Sequence, residues 1–160
     1  MNINKESIVY PLPLEADIEK LEKAFHVVFP EKYKEFLKTY NSCKLYDDDI
    51  LTHIDNKYAI ERFLGIIKDY KEHDYGEYDI GVSETSLSLQ ERNIFDEDIY
   101  GSELIPIAKL AYGDYLCLNY HKDKKNPSVD FLDYEESYTC NPVTTKISDS
   151  FTDFVKLIEN

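Results

Sequence analysis

Few side chains in this 160-residue chain are placed to do chemistry. The stretch Ala111 to Lys125, AYGDYLCLNYHKDKK, holds a Cys, a His and an Asp close together, the set a thiol nucleophile with an imidazole base would use. Cys117, however, sits between leucines at the centre of a strand-like run, and His121 lies beyond the end of that run. A reactive thiol needs an exposed, electropositive setting, so a buried, reduced Cys117 is the favoured reading. No GxSxG surrounds Ser83 or any other serine, which leaves an esterase-type nucleophile without support. His26, His53, His73 and His121 form no HExxH and no i, i+4 pair, so each is expected at the surface or half-buried, away from any metal. Asp47-Asp48-Asp49 begins like a calcium loop, but the register then wants an oxygen ligand at Leu51 and a glycine at Thr52. The triplet reads as a solvated acidic turn with at most weak attraction for cations. The glycines at 65, 76, 81, 101 and 113 make neither GxGxxG nor a Walker pattern. Lys122, Lys124 and Lys125, the only basic cluster, read as a hairpin turn.

Composition narrows the remaining functions. There are 18 Lys and Arg against 32 Asp and Glu, a net charge of −14. Residues 1–46 carry 7 basic and 7 acidic groups, residues 47–98 carry 5 and 15, and residues 99–160 carry 6 and 10. The middle third therefore holds −10 of the charge. Such a field repels phosphate backbones and anionic lipid and draws cationic partners, so direct nucleic-acid or membrane binding is disfavoured. The alternative reading of this charge is solubility alone. Cys43, Cys117 and Cys140 are odd in number and form no CxxC, which fits a reducing compartment. The N-terminus lacks a signal-peptide pattern and no run of about 18 apolar residues occurs, so a soluble cytoplasmic protein of one domain over residues 1–160 is expected.

Periodicity supplies the elements. Ile18, Leu21 and Phe25 define a first amphipathic helix from Leu14, and Tyr33, Phe36, Leu37 and Tyr40 a second that starts at Pro30. Asn41 is expected to end it in a left-handed conformation. Strands are expected at Ile60 to Ile67, Tyr78 to Val82 and Leu104 to Ala108, where Pro106 suits an edge or a strand end. Ser83 to Phe95 reads as a short helix capped at Ser83. From Tyr115 to Tyr120 odd and even positions face opposite sides, and Ser128 to Ser137 alternates likewise, so the two pair antiparallel across a polar loop. Phe151, Phe154, Val155 and Ile158 form a last helix behind a Ser150 and Asp153 pair that resembles a capping box. The sum is an α+β fold in which an N-terminal helical pair and a C-terminal helix pack on a mostly antiparallel sheet.

The ordered series Ile18, Leu21, Glu22, Phe29-Pro30, Tyr33, Phe36-Leu37, Tyr40-Asn41, Ile105-Pro106-Ile107-Ala108, Gly113-Asp114, Cys117-Leu118, Val129, Leu132-Asp133, Glu135, Phe151 and Phe154 resembles the SUKH superfamily. That superfamily includes fungal cell-wall assembly regulators and many bacterial immunity proteins. The Asn-Gly-Gly usual after the second helix is Asn41-Ser42-Cys43 here, the usual Asp-His-Glu is Asp133-Tyr134-Glu135, and tryptophan is absent. The resemblance implies the same α+β architecture, no catalysis and no cofactor. It also implies an antidote that binds and blocks a toxin domain, often a nuclease or deaminase. On this reading AYGDYLCLNYHKDKK is scaffold, its Gly-Asp turn shaping the sheet.

Nuclease toxins must be basic to hold phosphate, so an acidic chain suits such a partner. The expected partner is a basic, nuclease-type cognate toxin, bound by a monomer or weak homodimer. Its expected docking surface draws on Asp47, Asp48, Asp49, Asp74, Tyr75, Glu77, Asp96, Glu97 and Asp98, where tyrosines and carboxylates alternate or acids cluster. Two other readings stand beside it: a regulatory scaffold that binds a cellular partner, and an enzyme built from scattered carboxylates. The last would require three or more acidic or His side chains converging in one deep pocket.

Overall fold

The computed structural model describes residues 1–46, 50–53, 56–68, 80–93, 103–139 and 141–159. A short ribbon pairs β1 (Ile3–Asn4) with β2 (Lys44–Leu45) antiparallel. Among the described residues the main sheet has six strands in sequence order: β3 (Ile50–His53), β4 (Asn56–Phe63), β5 (Leu104–Leu110), β6 (Tyr115–Asn119), β7 (Ser128–Asp133) and β8 (Val143–Ser148). Every neighbouring pair in it is antiparallel, so the sheet is a meander without crossovers.

Helices α1 (Glu15–Phe25) and α2 (Glu31–Tyr40) form the expected hairpin. The Asp17 carboxylate accepts from Leu14 N–H at 2.7 Å and steadies the start of α1. At its end His26 turns left-handed (φ 55°) while Val27 N–H donates to the Glu22 carbonyl, the backbone pattern of a Schellman stop. Glu22 then reaches into the corner: its carboxylate accepts from Phe29 N–H at 2.6 Å and pairs with Lys34 at 3.2 Å. One acidic side chain thus sets the angle between the two helices.

The apolar stripes of α1, α2 and α4 (Phe151–Glu159) lie on one face of the sheet. Ile18, Leu21, Tyr33, Phe36, Leu37, Phe151 and Phe154 are buried there with Leu116, Leu118 and Val129. Phe36 meets Phe63 and Phe151 at ring distances of 4.8 and 5.7 Å, so the aromatic residues of two helices interlock over the strands. The opposite face carries a smaller cluster, Tyr115, Cys117 and Leu132, covered by Leu89 of α3 (Val82–Asn93). The alternation read along Tyr115 to Tyr120 therefore assigns both faces correctly.

Four expectations are corrected. Asn41 does not take the left-handed position (φ −48°, ψ 119°); Ser42 does (φ 51°). The Asn41 side chain is fully buried and spoken for: it donates to the carbonyls of Val9 and Ile66, each at 3.0 Å, and accepts from Ile66 N–H at 2.7 Å. Holding that grip leaves the reversal to the next residue. Residues 80–82 do not form a strand; Gly81 makes a single parallel bridge to Gly65, and α3 starts at Val82, so Ser83 lies inside the helix and is not its cap. A β-carbon at Gly65 would fall on Asn41 Oδ1 and Ser42 N, so a glycine is needed there; the strand expected at Ile60 to Ile67 ends before it, at Phe63. Finally, β5 sits between β4 and β6 and is no edge; Pro106, lacking an N–H, is accommodated at a register shift between Pro106 and Ala108.

Candidate functional site

All the residues expected to bind a partner, Asp47, Asp48, Asp49, Asp74, Tyr75, Glu77, Asp96, Glu97 and Asp98, lie outside the described residues. The chemistry-bearing side chains of the rest fall at four places: the Cys117 thiol within the sheet, the Cys43 thiol just before β2, a polar groove on the second face of the sheet, and the turn at one end.

Cys117 is completely buried in β6, and burial pushes its thiol well above the ordinary range, with the neighbouring charge of Asp130 adding to the shift. Cys43 is also buried; desolvation raises its thiol to about 12, a backbone hydrogen bond and Arg62 acting weakly the other way. Thiols held protonated are poor nucleophiles, so both belong to the packing. His121, the suggested base, is exposed in the loop after β6 and lies 3.8 Å from Glu103.

The groove, of about 220 Å³, is lined by Glu103, Asn119, His121, Lys122, Asp130 and Lys146 among others. It does bring two carboxylates and one imidazole together, the condition set for an enzyme. Both carboxylates are already engaged. Asp130, 5% exposed, accepts from Asn119 Nδ2 at 2.8 Å and from Ser128 Oγ at 2.6 Å. Glu103 pairs with Lys124 at 3.5 Å, and the Lys146 ammonium is drawn to Asp149 at 2.6 Å. A buried carboxylate fixed by two neutral donors orders the β6–β7 pair, where Cys117 and Asp130 are register partners. Among the described residues no group of three His, Cys, Asp or Glu is arranged to hold a metal ion.

The turn between β5 and β6 is different in kind. Ala111–Gly113 forms one 3₁₀ turn in which Tyr112 (φ 70°) and Gly113 (φ 91°) are both left-handed. For tyrosine that conformation costs on the order of 1 kcal/mol or more. The side chain recovers nothing by contact, since Tyr112 is 99% exposed. Closure of the turn rests on its neighbours: Leu110 N–H donates to the Asp114 carbonyl at 2.8 Å, and the Asp114 carboxylate accepts from Tyr134 N–H at 3.0 Å. That second bond draws the end of β7 alongside, so Asp114, Asp133 and Glu135 stand near one another. The Asp114 carboxyl is raised above its ordinary value, first by desolvation and then by the charges of Asp133 and Glu135, the Tyr134 amide opposing them. No lysine or arginine among the described residues pairs with any of the three. The Gly-Asp turn does shape the sheet, as expected, but the tyrosine before it has no structural task. Its signal in the sequence was faint: a tyrosine outside the alternation of the strand that follows.

A scan of family models matches the chain over residues 15–155 to SUKH_6, described as SMI1-KNR4 cell-wall. The match takes in both helices of the hairpin, the whole six-stranded sheet and half of α4, so the chain belongs to this family. No curated protein sequence matches it. Among the described residues no helix is long and apolar enough to cross a membrane.

Proposed function

We propose that this SUKH-family protein is an immunity protein that binds and neutralises a cognate toxin domain, one with a basic, nuclease-type surface. The observation that carries the reading is the family match over residues 15–155, since members are commonly toxin-immunity or SMI1/KNR4-like proteins and generally non-enzymatic. The charge of −14 supports a cationic partner. The protein acts as one cytoplasmic domain, monomeric or weakly dimeric, without cofactor, and touches neither nucleic acid nor membrane directly. The acidic segments containing Asp47, Asp48, Asp49, Asp74, Tyr75, Glu77, Asp96, Glu97 and Asp98 steer the toxin in, so association slows as salt is added.

The test is co-expression with the toxin domain encoded beside its gene. Growth should be rescued, the two proteins should co-purify, and replacing Asp47, Asp48 and Asp49 by Asn should lower the association rate with folding unchanged. A toxin that stays fully active against a well-expressed protein overturns the reading and leaves the regulatory scaffold in its place.

A further inference from the structure

We draw no further inference here: the strongest candidate, the polar groove that Asp130 lines on the second face of the sheet, belongs to the site already described, and its carboxylates are met by Asn119, Ser128 and Lys124 of the chain itself, so nothing in it points to a ligand.

Discussion

Tyr33 and Tyr120 are fully buried in the same aromatic core and differ in what their hydroxyls find. Tyr120 donates to the Val28 carbonyl at 2.9 Å, tying β6 to the corner between α1 and α2. The Tyr33 hydroxyl, wedged edge-on between Phe29 and Phe151, has no hydrogen-bond partner among the described residues. Burial raises both phenols above their ordinary range, most strongly Tyr33. An orphaned hydroxyl costs about 1–3 kcal/mol, whereas a satisfied one contributes about 0.5–1.5 kcal/mol net. Tyr33→Phe is therefore expected to raise stability by about 1 kcal/mol and Tyr120→Phe to lower it by a similar amount. Urea titrations of both variants check this, and a loss of stability in Tyr33→Phe would contradict it. The chain has 14 tyrosines, and composition could not tell these two apart, because partner and orphan differ only in three-dimensional position. The same holds for Asn41, read as a helix stop from its type alone and found clamping Val9 and Ile66 together.

Among the elements, those with strong helical period were read correctly from the sequence, and α4 shows why. Phe151, Phe154 and Val155 fall on one stripe and are all buried, and Ser150 caps the helix by accepting from Asp153 N–H at 3.1 Å while donating to that carboxylate at 2.7 Å. Phe154 stands 5.9 Å from Phe151 and 6.4 Å from Phe63, and Phe36 of α2 joins the same cluster. Phe154→Ala and Phe36→Ala should each cost about 3–5 kcal/mol through lost contacts and a cavity. Chemical denaturation showing either variant as stable as the parent would sink this picture of the core. Polar strands escaped notice for the complementary reason. In β8 the run Val143, Thr144, Thr145 and Lys146 leaves most side chains to solvent, so no apolar alternation announces an edge strand held chiefly by its ladder with β7. The strand expected at Tyr78 to Val82 is testable only over residues 80–82, since Tyr78 and Asp79 lie outside the described residues; there Ile80 and Val82 are buried, but in a turn and a helix start around the Gly65–Gly81 approach.

Across the whole molecule, the segments differ in charge as well as in structure. Residues 1–46, electrically balanced, supply the helical hairpin and its core face, while residues 47–98 hold the bulk of the negative charge. The α+β architecture was readable because the helical stripes and the β6 and β7 alternation were strong and mutually consistent. The nine-residue docking expectation was read from charge and from tyrosine beside carboxylate and falls outside the described residues, whereas the exposed Tyr112 depends on a backbone conformation that no composition reveals. The meander has a further consequence, for the route by which the chain folds. Strands adjacent in sequence are adjacent in space, so β5, β6 and β7 join through short connections and lose little loop entropy as they pair. The β4 to β5 step must close residues 64–103, including α3, and α4 docks on a surface made by α2, β3, β7 and β8. The β5–β6–β7 unit should therefore form before the helices settle. Leu118→Ala, in β6, is expected chiefly to slow folding, and Phe154→Ala, in α4, chiefly to speed unfolding; the two arms of a chevron plot separate these effects, and the reverse pattern would place the nucleus in the helical layer.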